Sequence, residues 1–154
     1  MLDDRELTSK PKFAQFSHNI IRYSFTFGAN GDAHLVRNVK ADDVDYIKSK
    51  AKLTFLDCWA PWCRPCHDLA PILEALEEKY SENANIAFYK INVDEYPHFG
   101  RENNIRGIPC VLVYFDGKPA DIEDPSHPGG NRTDRLLGRR GANDYESVIN
   151  QLLG

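Results

Sequence analysis

The chain has no apolar run long enough to span a bilayer, no excess of positive charge and only one methionine, Met1. A transmembrane helix needs roughly 20 consecutive apolar residues, so no membrane partner is expected. Lys and Arg number 19 against 23 Asp and Glu, for a formal net charge of -4. Domains that bind nucleic acid are usually basic, so no nucleic-acid partner is expected either. The opening MLDDRELTSKPK is polar and lacks the basic start and apolar stretch of a secretory signal; the expectation is a cytoplasmic protein. Internal repeats and low-complexity tracts are missing. Cysteine is scarce. Four in 154 residues are too few for a disulfide-stapled scaffold, and a 42% hydrophobic composition suits one compact domain with its own core. In a reducing compartment a close cysteine pair is more often redox-active or metal-binding than structural.

What is present divides into an extension, residues 1–33, and a domain, residues 34–154. Within the extension, Ile20 to Phe27 is rich in β-formers and reads as a strand, followed by a Gly-rich turn over 28–32. A short strand is expected from His34 to Val39, and a helix near Val44 and Ile47 with acids in its first turn. Leu53 to Trp59 is a nearly continuous apolar run, as expected of a strand covered on both faces. Leu69, Ile72, Leu73 and Leu76 recur at helical spacing. Further strands are expected over 86–93 and 109–115, with a short helix over 97–104 between them. Asp116-Gly117 is a strong hairpin signal. A strand–helix–strand unit implies a parallel pair with a right-handed crossover, and the hairpin adds an antiparallel neighbour, so the sheet should be mixed. Residues 119–134, with Pro119, Pro125, Pro128, Gly129 and Gly130, read as a loop. A last helix is expected from Asn143, as N-cap, to Leu153.

The densest chemistry lies in Trp62-Cys63-Arg64-Pro65-Cys66-His67. Two cysteines separated by two residues at a strand-to-helix junction can close a small disulfide ring. The first sits near a helix N-terminus, where free N–H groups and the helix dipole favour a thiolate, the attacking species in disulfide exchange. Arg64 adds a positive charge that should lower that thiol's pKa further. Pro65 is tolerated early in a helix, where its missing N–H costs little. Asp57 stands in an apolar strand, which is costly for an acid unless it is paired or neutral. With a raised pKa it would serve as a general acid or base near neutral pH; the other reading is a structural acid satisfied by Lys90.

Taken in order and spacing, Asp57-Cys58-Trp59-Ala60, Trp62-Cys63-Arg64-Pro65-Cys66, Ala70-Pro71, Lys90-Ile91-Asn92-Val93-Asp94 and Ile105-Arg106-Gly107-Ile108-Pro109 resemble the thioredoxin family, from about His34 to Gly154. The resemblance implies an α/β thioredoxin fold, a central mixed sheet flanked by helices. It implies that Cys63 is the exposed nucleophile, Cys66 the buried resolving thiol and Asp57 the carboxylate that moves the resolving thiol's proton, with Lys90 as its charge partner. Pro109 is similar to the family's cis-proline, with Ile108 backbone pairing to an extended substrate. Trp62, Gly107 and Gly138 complete the implied docking surface. The implied partners are disulfide-bearing proteins and an electron donor of the thioredoxin reductase type; the implied state is a monomer without cofactor or metal.

Three departures qualify the resemblance. Arg64 stands where the motif usually has glycine, which should make the couple more oxidising. Cys58 and Cys110 stand on strands expected to be neighbours and are read as buried, inert thiols. Residues 119–134 form an insertion, acidic at Asp121, Glu123 and Asp124, followed by Arg132, Arg135, Arg139 and Arg140, read as a solvated face able to select partners. The string from Cys63 to His67 also spells the c-type haem attachment pattern; the lack of a second methionine and the surrounding motifs oppose it. The function expected is reduction of protein disulfides. The alternatives are an oxidase or isomerase, and a redox-regulated binding module with little turnover.

Overall fold

The computed structural model describes residues 36–154. The strand expected over 20–27, the turn over 28–32 and the first residues of the strand expected from His34 lie outside the described residues. The first described element is β1 (Arg37–Asn38), shorter than expected, then a 3-10 turn (Ala41–Asp43) leading into α1 (Val44–Ile47). The main body is β2 (Leu53–Trp59), α2 (Arg64–Lys79), β3 (Ile86–Asn92), α3 (Pro97–Glu102) and β4 (Cys110–Phe115). It closes with β5 (Lys118–Pro119), β6 (Ile122–Glu123), β7 (Arg132–Thr133), β8 (Arg135–Leu137) and α4 (Ala142–Leu153).

The main sheet runs β1-β3-β2-β4-β5, with β8 also on β4. β1, β3 and β2 are parallel, and β4 runs antiparallel to β2, so the sheet is mixed. β2 is central, and residues 53–58 are all buried. Alternation along a strand sends successive side chains to opposite faces. Leu53 and Phe55 meet Leu69, Leu73 and Leu76 of α2 and Tyr145, Val148 and Ile149 of α4. Leu56 and Cys58 face the other way, against Val44, Ile91, Phe99 and Leu112. Phe55 stacks on Phe88 with centroids 4.9 Å apart and takes the edge of Tyr145 at 5.6 Å. Each fully buried Leu or Phe of this kind stabilises the fold by about 2 to 3 kcal/mol.

The Asp116-Gly117 hairpin forms as expected. Both residues have positive φ, 50° and 78°, the conformation a two-residue hairpin turn requires, and they join β4 to β5 with Phe115 opposite Lys118. Beyond it the expectation of a bare loop over 119–134 is corrected. β6 and β7 pair there as a separate two-stranded sheet, Ile122 opposite Thr133 and Glu123 opposite Arg132. β8, which carries no expected strand, then returns to pair with 110–112 of β4. The last helix begins at Ala142 with Gly141 as N-cap, so Asn143 lies inside it. The first turn is favoured instead by Asp144, whose carboxylate suits the positive end of the helix dipole.

Candidate active site

β2 ends at Trp59, and a tight turn through Ala60-Pro61-Trp62 delivers Cys63 as the N-cap of α2. The Cys63 N–H bonds to the Ala60 carbonyl at 3.1 Å. Pro65 occupies the helix's first turn, as expected. The Cys63 Sγ accepts the Cys66 N–H at 3.3 Å, so the first cysteine caps the helix with its own sulfur. Cys63 and Cys66 are joined as a disulfide, their Cα atoms 5.3 Å apart. The expectation of an exposed Cys63 is corrected for this form: Cys63 is 3% exposed and Cys66 2%. The bonded sulfurs pack with Ala60 under Trp59 and Ile108.

The tryptophans flank this junction. Trp62 is 70% exposed, its Nε1 donating to Asp94 Oδ2 at 2.8 Å. Trp59 is half-buried, its Nε1 donating to the Oδ1 of the exposed Asn38 at 2.9 Å. His67 is an exposed first-turn residue whose Nε2 donates to the Pro61 carbonyl at 2.7 Å. The Arg64 side chain is 86% exposed and lies 3.5 Å from Asp68.

The Ile108–Pro109 peptide bond is cis. Ile108 also packs against the cysteine pair, so the open groove of about 430 Å³ that it lines adjoins the disulfide. Gly107, Ile108, Pro109 and Gly138, all expected from sequence, line this groove together with Asn104, Arg106, Arg135 and Leu137. Gly138 leaves β8 with φ +76°, a left-handed turn that favours glycine, and its N–H donates to the Pro109 carbonyl at 2.9 Å. Trp62 is not among the lining residues.

Asp57 is 3% exposed, and its Oδ1 has no hydrogen-bond partner. It shares the face of β2 with Leu53 and Phe55, which α2 covers and into which Cys66 is also buried. Burial pushes the Asp57 carboxyl up to about 7, against the opposing pull of Lys90 beside it in register on β3. Lys90 in turn places its ammonium 5.2 Å from the Trp59 ring centroid. The arrangement puts a carboxyl able to exchange a proton near neutral pH in the interface that holds the second cysteine.

The Thioredoxin family model matches residues 34–137 of this chain. A thioredoxin from Coprinus comatus is 39% identical over 80 residues, covering 52% of this chain and 74% of that protein. The M-type chloroplastic thioredoxin of Spinacia oleracea is 40% identical over 92 residues, 60% of this chain and 50% of that one. The solution structure of oxidised thioredoxin from Plasmodium falciparum superposes with a TM-score of 0.57 at 27% identity, covering 77% and 99% of the two chains.

The chain belongs to the thioredoxin family. Its fold is the thioredoxin fold, and its disulfide-forming Cys63–Cys66 pair makes it a thiol–disulfide oxidoreductase. No helix among the described residues is long and apolar enough to cross a membrane. No group of three or more metal-capable side chains occurs among the described residues.

Two further cysteines lie within the sheet of this thioredoxin domain. Cys58 and Cys110 are fully buried, free and directly opposite each other on β2 and β4. Burial raises both thiols, Cys58 well above its ordinary value and Cys110 up to about 11, the latter opposed by the nearby Arg135 guanidinium. Thiols held protonated and out of solvent react slowly. The oxidised protein should therefore show no thiol to a polar alkylating reagent at neutral pH, and two after denaturation. A folded protein that labels twice within minutes would contradict this.

Sequence reasoning missed Leu137, 57% exposed at the groove, and Asp94 under Trp62. It also read the arginines after 131 as a solvated face, which holds for Arg132 and Arg139, both exposed, but not for Arg135 and Arg140, which are partly buried. Arg132 pairs with Asp121, Arg135 with Asp134 and Arg140 with Asp124 and Asp144. Two of these pairs, Arg132 with Asp121 and Arg140 with Asp124, join the basic side of the segment to its acidic side across a turn.

Proposed function

We propose that the protein reduces disulfides in other proteins. The observation that carries this reading is the Cys63–Cys66 pair at the N-terminus of α2, set against a groove that Ile108, Pro109 and Gly138 line. In the dithiol form the Cys63 thiolate attacks one sulfur of a substrate disulfide; a mixed disulfide forms and one substrate thiolate leaves. Cys66 loses its proton to Asp57, attacks the Cys63 sulfur and expels the second substrate thiolate. The Cys63–Cys66 disulfide forms as the substrate disulfide gains two electrons. Lys90 favours the ionised form of Asp57, the backbone at Ile108 pairs with an extended substrate, and Trp62, Gly107, Pro109 and Gly138 shape the docking surface. Pro65 starts the helix that presents the pair.

The pair returns to the dithiol at the expense of a thioredoxin reductase-type donor, and no resident cofactor or metal takes part. The working form is a cytoplasmic monomer, with the extension at 1–33 outside the catalytic domain. Equilibration with glutathione buffers tests the direction. A potential near about -270 mV with rapid insulin reduction supports a reductase, whereas about -180 to -120 mV would make the protein an oxidant or isomerase. Binding of disulfide proteins without turnover would make it a docking module. The exposure of Arg64 bears on the same measurement. An exposed charge is screened by solvent and salt, so Arg64→Gly should shift the glutathione equilibrium by less than about threefold.

A further inference from the structure

One wall of the groove is held by an arginine that does not line it. Arg140 stands two residues beyond Gly138, and its side chain is only 12% exposed. Its Nε donates to the Leu137 carbonyl at 2.7 Å. Its Nη1 and Nη2 grip the two carboxylate oxygens of Asp124, both at 2.9 Å. Nη1 also reaches Ser126 Oγ at 2.6 Å and Asp144 Oδ2 at 3.3 Å. One planar guanidinium thus joins the groove wall, the turn between β6 and β7, and the first turn of α4. A bidentate arginine–carboxylate pair fixes orientation as well as distance, and the Arg140 fork holds the Asp124 carboxyl well below its ordinary range.

The hairpin that supplies Asp124 is itself anchored. Two paired residues per strand do not support a hairpin alone. Here Ile122 is fully buried, Arg132 bonds to Asp121 at 2.9 Å, and the Gln151 side chain exchanges hydrogen bonds with the Glu123 backbone, both 2.9 Å. The far end of the wall is tied as well, by Arg135 Nη1 to the carbonyls of Asn103 and Asn104. Between these ties the Leu137 side chain stands exposed at the groove although it is large and apolar. A leucine kept out of the core at a fixed place is available to an apolar side chain of a bound polypeptide.

We propose that Asp124 and Arg140 are positioning residues that set the Leu137–Gly138 wall, and that the 119–134 segment thereby determines which polypeptide disulfides the groove accepts. The inference rests on the proposed reductase function. A polypeptide must lie along the wall to react, whereas a small neutral disulfide reaches the cysteine pair without it. The clamp should therefore act on macromolecular substrates alone.

The test uses full-length, pre-reduced protein in single turnover, following tryptophan fluorescence against insulin and against 2-hydroxyethyl disulfide. In Asp124→Asn and in Arg140→Lys, which keeps the charge but loses the fork, the insulin concentration for half-maximal rate should rise about fivefold or more. The limiting rate and the rate with 2-hydroxyethyl disulfide should stay within twofold. Asp124→Glu should recover part of the loss, and Asp124→Asn with Arg140→Lys should cost little more than either alone. Equal losses on both substrates would reduce the clamp to a general structural contact and overturn the proposal; so would unchanged insulin dependence in folded variants. Should the clamp variants fail to fold, Leu137→Ser, altered at an exposed side chain, must show the same rise for insulin, and an unchanged value overturns the proposal. Wild-type protein that reduces neither substrate overturns the reductase reading and this inference together. Wild-type protein that reduces both while the variants match it overturns this inference alone.

Discussion

Cys63→Ser should lower insulin reduction by at least about 1,000-fold, while Cys66→Ser should react once and stop as a stable mixed disulfide. The asymmetry follows from placement. Cys63 occupies the N-cap, where its sulfur already accepts the Cys66 N–H and meets the positive end of α2. A serine hydroxyl there does not ionise near neutral pH and cannot replace the thiolate as attacking group. Cys66 lies inside the helix on the buried stripe it shares with Leu69, Leu73 and Leu76, whereas Cys63 stands at the helix end beside the groove. The proposed task of Cys66 is to attack the Cys63 sulfur, which is already adjacent. Removing it should leave the first step intact and abolish the second. Intact mass after mixing with excess substrate reads the outcome. A covalent adduct on Cys66→Ser and none on Cys63→Ser is expected. An adduct on Cys63→Ser would reverse the two roles, and multiple turnovers by Cys66→Ser would remove the resolving step.

How far the sequence anticipates this molecule depends on how much core each element carries. β2 is legible because residues 53–58 are buried on both faces and therefore read as one apolar run. α2 is legible because Leu69, Leu73 and Leu76 repeat at helical spacing along one buried stripe. Asp116-Gly117 is legible because few residues accept two successive positive φ values. β6, β7 and β8 are not, since strands of two or three residues are too short for a period of two to show. They are held by single buried side chains, Ile122 and Leu136, and by contacts between distant residues, such as Asp124 with Arg140 sixteen residues away. The helix start at Ala142 is obscured because Asn143 is the better side-chain cap, whereas the cap is made by Gly141 in extended conformation with no side-chain hydrogen bond. The groove residues Gly107, Ile108, Pro109 and Gly138 come from the family resemblance, not from periodicity. No pattern of apolar residues could have assembled two segments about 30 residues apart. The hydrogen bond from Gly138 to Pro109 that brings them together involves backbone atoms alone.

Asp57→Asn should make the oxidised protein more stable at pH 8 and at the same time slow release of the second substrate thiol by about 100-fold. Both effects follow from one buried carboxyl. Its pKa is pushed up to about 7 in the folded protein by burial, against the attraction of Lys90, and is about 3.9 in an unfolded chain. Between these values the folded state holds a proton that the unfolded state has lost, so stability falls as pH rises from about 4 to about 7 and is level beyond. The difference corresponds to a loss on the order of 4 kcal/mol at neutral and higher pH. Asparagine, close in shape and without charge, removes that slope, and denaturant titrations at pH 4 and pH 8 should show it. The kinetic cost arises because asparagine cannot take the Cys66 proton. In the wild type, release should rise with pH through about 7 as Asp57 ionises; in the variant that step should be missing. A structural acid satisfied by Lys90 gives the opposite pattern, a variant less stable at pH 8 whose release rate follows the wild-type pH profile. The balance of forces on the carboxyl favours the first outcome: burial outweighs the attraction of Lys90, so Asp57 is held at about 7 rather than below its ordinary value, as an acid satisfied by its ion pair would be.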